Sequence, residues 1–288
     1  MYVNEVFPGS GLEKNYTIRN MTAVFQLKTT PNYDGRVMAN QDDGEGDELF
    51  HVSKEMYRKI AEGDRHCTYR PEKFHALIMK IYFSGCAAKA RRAIKKKFHS
   101  SAFEECYKIS ASLFLSGKVA LTGGKCQRDC QLAALQVCRR LNIAMKLDEG
   151  FKSIYASGLR IVNIVGVTQL PFQIAIEKLY NDYRCANNQA SALSKHESVK
   201  AGCRTPALNA VRVRYEPTIF TGASIKFAPP GSVRNTRKHR DNIKPFPTFL
   251  MFINGKVIMT GNTTEQEVQE SFKKFYSLIQ FYKRTENL

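Results

Sequence analysis

The sequence predicts an α+β fold made of two tandem repeats, with helices on one side of an antiparallel sheet. Residues 112–124, SLFLSGKVALTGG, recur at 250–262 as LMFINGKVIMTGN, with six of thirteen positions identical. Likewise YRPEKFHALIMKI at 69–81 recurs as YEPTIFTGASIKF at 215–227. A shorter pair, IRNM and IVNI, precedes both in the same order, so the chain is an internal duplication.

Each repeat is predicted to contain the same elements in the same order. A β-rich strand opens it (Tyr16–Leu27, Leu159–Leu170), and a helix follows (Glu48–Glu62, Pro171–Tyr183). Two later strands meet at a tight turn, where the Asn-Gly of the second repeat is a strong hairpin signal. A long helix closes each repeat, and its apolar residues have the spacing of a helix that packs on a sheet.

The repeats place a boundary at residue 150, which gives a first repeat at 1–150 and a second at 151–288. Unequal spacing between the repeated motifs predicts insertions at 28–48, 84–108, 187–209 and 228–245. The second and fourth of these insertions together carry half of the net charge of +18. Basic runs at related places in a repeat favour a polyanionic partner over two unrelated solvated loops.

Composition excludes several other classes of protein. Hydrophobic residues at 43% and charged residues at 24% are ordinary for a folded chain. No apolar run approaches the ~20 residues of a membrane span, and no signal peptide is visible, so we expect a soluble protein inside the cell. The eight cysteines form no CxxC pair, and Cys126 and Cys130 fit a helix core better than a zinc site. We therefore expect no metal and no cofactor.

Alternation along the hairpin strands predicts which face of the sheet is uncovered. Leu113 falls on the opposite side from Phe114, and Met251 and Ile253 fall opposite Phe252. If the aliphatic residues face the helices, both phenylalanines face outward, and exposed aromatics on an open sheet usually mark a binding surface. Alternation alone leaves open that both rings lie in a two-sided core.

These residues together resemble the TATA-binding protein family over most of residues 16–284. The resemblance rests on the Asn-containing first strands, the Tyr-x-Pro-x-x-Phe turns, the Phe-x-x-Gly-Lys-x-x-x-Thr-Gly hairpins and the terminal helix. It implies a tandem pseudo-symmetric saddle with its helices on the convex face. It also implies a non-enzymatic transcription initiation factor that binds the minor groove of A·T-rich promoter DNA and bends it by Phe intercalation.

The resemblance assigns roles to residues of both repeats. Phe74 with Phe114, and Phe220 with Phe252, match the two intercalating pairs. The other implied DNA contacts are the groove-reading amides Asn20 and Asn163, the floor residues Thr22, Val165, Leu250 and Ile258, the hydroxyls of Thr122 and Thr260, and the phosphate-side lysines Lys73, Lys80, Lys118, Lys226 and Lys256. Because Thr22, Ser112 and Ala120 replace larger apolar residues, we expect the first repeat to select A·T less sharply.

The resemblance also implies protein partners beside double-stranded DNA. Glu216 and Ile219 lie in the turn that docks transcription factor IIB in the family, but Thr218 replaces a carboxylate there. We therefore expect a factor-IIB-like partner adapted to this surface, together with an RNA polymerase assembly and no membrane.

Other functions remain possible on the same residues. An architectural DNA-bending protein without marked base preference, a protein-only transcription adaptor and a nuclease or glycosylase are the alternatives. A two-metal nuclease needs clustered carboxylates, which the expected DNA face lacks. The resemblance implies location in the nucleus, and the divergence favours a large DNA virus, with its own transcription site, or a deeply divergent eukaryote.

Overall fold

A computed structural model describes residues 16–30, 48–83, 107–145, 153–192, 211–227 and 246–284. The chain divides into two compact units: an N-terminal unit, Asn20–Val162, and a C-terminal unit, which joins Met1–Arg19 to Asn163–Leu288. The predicted insertion at 228–245, most of each of the other three, and the predicted boundary at residue 150 lie outside the described residues. The boundary stays a prediction.

The described part of the N-terminal unit is an antiparallel sheet with two helices. Its strands are β1 (Tyr16–Thr30), β2 (Glu48–Leu49), β3 (Cys67–Arg70), β4 (Phe74–Phe83), β5 (Tyr107–Phe114) and β6 (Lys118–Gly124). They pair in the order β3-β4-β5-β6-β1, and the short β2 pairs with β1. The helices are α1 (Lys54–Gly63) and α2 (Gln127–Met145).

The C-terminal unit repeats this arrangement. Its strands are β7 (Ser153–Gln169), β8 (Val211–Tyr215), β9 (Ala223–Phe227), β10 (Thr248–Met251) and β11 (Lys256–Asn262), paired in the order β8-β9-β10-β11-β7. Its helices are α3 (Ile176–Ala192) and α4 (Glu265–Ile279), and a 3₁₀ turn, Gln280–Tyr282, follows α4. The predicted α+β class and antiparallel pairing are confirmed.

Both units bury one face of the sheet beneath their helices. In the N-terminal unit Leu113 pairs with Leu77 on one side and Val119 on the other, and all three are fully buried. In the C-terminal unit the ring of Phe249 stacks on Phe275 of α4 with centroids 4.4 Å apart. Each such buried side chain contributes about 1.5–3 kcal/mol through removal of apolar surface from water. The predicted placement of helices on one face is therefore confirmed in each unit.

Three local predictions were wrong. The first helix begins at Lys54 and not at Glu48, because Ser53 caps it by accepting a hydrogen bond from the Met56 N–H at 3.1 Å. The helix predicted from Pro171 begins at Ile176 and continues to Ala192. Ile253, predicted to face the helices, is 40% exposed, because β10 ends two residues earlier and the alternation ends with it.

An acidic side chain fixes the start of the last helix in each repeat. The buried carboxylate of Asp129 accepts hydrogen bonds from the backbone N–H groups of Lys125 and Cys126 at 2.9 and 3.0 Å. Glu267 does the same in the C-terminal unit, where it accepts from the Thr263 N–H at 2.9 Å. Both carboxylates satisfy donors that helix formation leaves unpaired and lie near the positive end of the helix dipole.

Asp129→Ala is expected to lower the free energy of unfolding by about 2 kcal/mol, because two part-buried N–H groups lose a charged acceptor. Burial opposes ionisation, but hydrogen bonds from the Tyr107 hydroxyl and the two backbone groups hold the pKa of Asp129 below its ordinary value. The charged contribution is therefore complete above the unfolded-state pKa of about 4 and is lost as the pH falls through the folded-state value.

Urea unfolding of the wild type and the variant at pH 7 and pH 3 measures this difference. The gap between them should be smaller at pH 3. Gln136→Ala, an exposed change on the same helix, is the control and should alter stability by less than about 0.5 kcal/mol. A gap that stays constant with pH would contradict the assigned role of the carboxylate.

Candidate nucleic-acid interface

The sheet of each unit has a second face, opposite its helices, which we call the open face. The residues of the open face are identified from the residues that pair across neighbouring strands. In the N-terminal unit a row of paired residues crosses this face: Ile78, Ser112, Ala120 and Val24. In the C-terminal unit the row at the matching repeat positions is Ser224, Leu250, Ile258 and Val167. All eight side chains are half-buried, so each row is a partly accessible floor.

Each open face carries one pair of phenylalanine rings. Phe74 packs edge-on against Phe114 with ring centroids 6.0 Å apart, and Phe220 packs against Phe252 at 5.7 Å. The first member of each pair is largely exposed, at 45% and 44%, whereas the second is half-buried. The structure thus brings together both predicted pairs, each as an exposed ring supported by a partly buried one.

A tight turn and a glycine position Phe220. The Phe220 N–H donates to the Glu216 carbonyl at 2.9 Å, which closes the turn before β9. A Cβ on Gly222 would lie 2.5 Å from Cε1 of Phe220, so a larger residue here would displace the ring from its present position. Sequence reasoning missed this residue, although a glycine two positions after the repeated phenylalanine was a visible signal.

The two predicted asparagines stabilise a matching irregularity in each sheet. The pairing register shifts between Met21 and Thr22 opposite β6, and again along β11, so that a glycine N–H leaves each ladder. Asn20 Oδ1 accepts from the Gly123 N–H at 2.6 Å. The equivalent Asn163 does the same for the C-terminal unit.

Asn163 Oδ1 accepts from the Gly261 N–H at 2.8 Å and from the Thr260 hydroxyl at 3.0 Å. The glycine has φ of +90°, which explains the repeated Thr-Gly motif. Since a backbone N–H can bond only to the amide oxygen, the orientation of both asparagine side chains is fixed. Neither Nδ2 group has a partner among the described residues, so each retains two free donors.

The other predicted hydroxyls and floor residues lie on the same faces. Thr22 pairs with Thr122 across the sheet. The Thr122 hydroxyl donates to the Ser110 carbonyl at 3.4 Å, whereas the Thr260 hydroxyl donates to Asn163 Oδ1. Thr22 and Val165 are both half-buried, on β1 and β7 respectively. The two units therefore share a backbone arrangement but differ in floor chemistry.

Sequence reasoning missed two glutamines that anchor the hairpin turns. Gln26 Nε2 donates to the Ser116 carbonyl at 2.9 Å, and Gln169 Nε2 donates to the Asn254 carbonyl at 2.6 Å. Each tie links the first strand of a repeat to the hairpin turn beside a phenylalanine pair. A glutamine six residues after each repeated asparagine was the signal that could have found them.

Positive charge surrounds these floors. Four of the predicted lysines are exposed and the fifth is half-buried: Lys73, Lys118, Lys226 and Lys256, with Lys80. Arg212 and Arg214, which the sequence analysis missed, are exposed on β8 and pair with Lys226 and Ser224. Their signal was the alternation of arginine and valine in VRVRY. Along the described strands, no Asp or Glu occupies an open-face position.

The two predicted partner residues lie in the turn that precedes Phe220. Ile219 is 80% exposed, which is unusual for an isoleucine, and the side chain of Glu216 is exposed as well. The Glu216 carbonyl accepts from the Ile219 N–H at 3.0 Å, so the backbone of this turn is ordered by its own hydrogen bonds.

Three cysteines of the described residues, Cys67, Cys130 and Cys138, are buried as core residues. Burial raises the pKa of the Cys67 thiol to about 12 and that of Cys130 to about 11, which disfavours the thiolate form that metals bind. Within the described ranges, no group of three or more His, Cys, Asp and Glu could hold a metal ion. Nor does any helix there have the length and apolar character needed to cross a membrane.

Asn163→Ala is expected to lower the free energy of unfolding by about 1–2 kcal/mol, because the Gly261 N–H loses its acceptor. Asn163→Asp keeps an acceptor oxygen in the same place and should be clearly less destabilised. Thermal unfolding of the two variants at pH 7 measures the difference. Equal losses in both would show that the amide oxygen does not support this strand irregularity.

Comparison with known proteins gives one consistent family. The family model for transcription factor TFIID (or TATA-binding protein, TBP) matches residues 56–144 and 204–282, more than half of the chain. The TATA-box-binding protein of Dictyostelium discoideum is 26% identical over 227 residues, which are 79% of this chain and 77% of that protein. The TATA-box-binding protein of Artemia franciscana is also 26% identical, over 79% of this chain and 57% of its own length.

The chain thus spans little more than half of the Artemia relative, and 51% of the Bombyx mori TATA-box-binding protein. Among solved structures, Methanococcus jannaschii TBP aligns with a TM-score of 0.47 at 16% identity, over 92% of this chain and 98% of that one.

Proposed function

This chain belongs to the family of transcription factor TFIID, or TATA-binding protein, and we propose that it binds the minor groove of A·T-rich promoter DNA and bends it. The observation that carries the proposal is the pair of exposed phenylalanines, Phe74 and Phe220, each supported from behind by a second ring. Apolar wedges of this kind enter between base pairs and unstack them, which kinks the duplex towards the major groove.

The floor residues that lie between the phenylalanine pair and the strand irregularity of each unit support a preference for A·T pairs. In the minor groove A·T pairs present only acceptors, whereas G·C adds an amino donor that projects into the groove. Apolar side chains such as Leu250 and Ile258 leave that donor unpaired. The free Nδ2 donors of Asn20 and Asn163 suit the acceptors N3 of adenine and O2 of thymine.

The charge pattern supports duplex DNA as the ligand. Exposed lysines such as Lys118 and Lys256 lie on the hairpins beside the floors, where they would meet the phosphates on either side of the groove. Each phosphate neutralised in this way releases counterions, so affinity should fall steeply with salt concentration. These contacts add affinity without reading sequence.

Phe220→Ala combined with Phe252→Ala is expected to reduce the DNA bend angle markedly, because the wedge and its supporting ring are both removed. The bend is measured by energy transfer between dyes at the two ends of an A·T-rich duplex at fixed salt. Phe281→Ala, which removes a 63% exposed ring outside the open face, is the matched control and should leave the bend unchanged.

Thermal unfolding of the same variants separates a wedge from a core residue. A core phenylalanine truncated to alanine costs about 3–5 kcal/mol of stability, whereas an exposed wedge costs much less. An unchanged bend together with a large fall in the thermal midpoint would refute the wedge role.

The polar floor of the N-terminal unit favours a second candidate, an architectural DNA-bending protein without marked base preference. Thr22 and Ser112 put hydroxyls where a strictly A·T-selective floor would be apolar. Competition between A·T-rich and mixed-sequence duplexes at the same salt concentration distinguishes the two: equal affinities would establish the architectural function.

We further propose that the turn of Glu216 and Ile219 docks a factor-IIB-like protein, through which an RNA polymerase assembly is recruited. The exposed isoleucine provides an apolar anchor, and the carboxylate beside it would attract a basic partner surface. This turn adjoins the Phe220 wedge, so a protein bound there would sense the bent DNA. Action on promoters by such a factor requires location in the nucleus, or at a viral transcription site if the chain is viral.

Glu216→Arg is expected to abolish the ternary complex with the cognate factor-IIB-like protein while binary DNA binding persists, because the charge that attracts the partner is reversed. Mobility-shift titrations with and without that protein measure both steps. Glu72→Arg changes the exposed carboxylate on the corresponding turn of the N-terminal unit and is the control. We expect Glu216 to point away from the groove, and loss of binary binding in Glu216→Arg would contradict that expectation.

A further inference from the structure

The two open faces differ in side-chain bulk at the centre of their floors. The register aligns Ser112 with Leu250 and Ala120 with Ile258, on adjacent strands of each sheet. The residues around them are alike in the two repeats: the asparagines, the glutamines, the hairpin lysines and the phenylalanine pairs. The loss of bulk is therefore confined to the strip that would face the edges of the base pairs.

Neighbouring residues do not refill this strip. Ile78 is larger than its counterpart Ser224, but it lies on the outer strand β4, beside Ser112 and not in the place of Leu250. On the other side Val24 matches Val167 in size. Because Ser112 and Ala120 are smaller than Leu250 and Ile258, we infer that the N-terminal floor is lower at its centre, and we call this strip the recess.

The recess is polar. The Ser112 hydroxyl is half-buried and has no hydrogen-bond partner elsewhere in the described part of the chain. Thr22, on the strand next to Ala120, also has an unpartnered hydroxyl, whereas its counterpart Val165 has a methyl group in its place. A hydroxyl can accept a hydrogen bond as well as donate one, so the recess offers acceptors at positions where Leu250, Ile258 and Val165 offer only hydrocarbon.

Guanine is the base whose minor-groove edge fits this recess. Its exocyclic amino group projects into the groove and must either find an acceptor or lose its hydration without compensation. Against Leu250 and Ile258 the amino group meets apolar bulk and no acceptor. Against Ser112 and Ala120 it has both room and an acceptor oxygen.

We propose that the recognition site is asymmetric: the C-terminal unit requires A·T pairs over its half, and the N-terminal unit accepts G·C pairs over the other half through the Ser112 hydroxyl. This inference rests on the proposed minor-groove function. It has the consequence that a site with G·C pairs in one half fixes which way round the protein binds.

A panel of four duplexes tests the proposal by equilibrium binding at fixed salt. The first is an A·T-only site, the second has G·C pairs in one half, the third has G·C pairs in both halves, and the fourth replaces guanine in the third by inosine, which lacks the amino group. The dissociation constant for one-half G·C should lie within about threefold of the A·T-only value, because the protein can place that half under the N-terminal unit.

Substitution in both halves should weaken binding at least tenfold, within the range that one or two mismatched base pairs cost. Inosine in place of guanine in both halves should restore most of the lost affinity. A tenfold loss already in the one-half duplex would overturn the inference while leaving A·T recognition intact. Failure to bind the A·T-only duplex, or no loss with both halves substituted, would instead overturn the proposed function. An inosine duplex as weak as the guanine one would overturn the role of the amino group.

A second experiment exchanges the central floor residues of the two units by substitution and measures the same dissociation constants. Ser112→Leu with Ala120→Ile gives the N-terminal unit the floor of its counterpart, and the ratio of dissociation constants, one-half G·C over A·T-only, should rise to at least tenfold. Leu250→Ser with Ile258→Ala should bring the both-halves duplex within about threefold of the A·T-only duplex. Phe281→Ala is the control for both ratios. Ratios unchanged in both exchanges would overturn the assignment of specificity to these floors.

Discussion

The register of the antiparallel pairs is the constraint on which both faces of each sheet depend. Because side chains alternate along a strand, the pairing that buries Leu113 against Leu77 and Val119 necessarily places Ser112 and Phe114 on the other face. A slip of one residue would expose the core and bury the floor at once. The helices stabilise this register by covering the apolar face, as Phe275 does over Phe249.

Within that register, each repeat has one irregularity that serves the open face. The shift that frees the Gly123 or Gly261 N–H would be unfavourable if the donor stayed unpaired, and Asn20 or Asn163 supplies the acceptor. The same hydrogen bond fixes the direction of the amide, so the structural role of the asparagine and its proposed binding role depend on one contact. This hydrogen bond therefore orients the Nδ2 donors of both asparagines before any ligand is present.

Duplication explains what the units share, and divergence explains where they differ. Three kinds of hydrogen bond recur at matching positions of the two units. An asparagine bonds a glycine N–H, a glutamine bonds a carbonyl of the hairpin turn, and a carboxylate bonds the backbone before the last helix. Each of them stabilises a segment of backbone that the fold requires. The floor positions around Ser112 and Leu250 lie on the face opposite the helices, so changes there do not alter the side chains that pack beneath the helices. Differences in ligand preference between the two units are accordingly expected at these positions.

The sequence by itself determined the duplication, the alternation of faces and the residues that form the two phenylalanine pairs, because each is a local pattern repeated along the chain. It did not determine the start of α1, the glycine that admits Phe220, or the Arg212 and Arg214 pair on β8. The amide orientation of Asn163 and the division of β1 and β7 between the two units were also decided by tertiary structure. The reason is physical for the last two features: they depend on hydrogen bonds and strand pairing between segments far apart in sequence, such as the 98 residues between Asn163 and Gly261, which no local periodicity records.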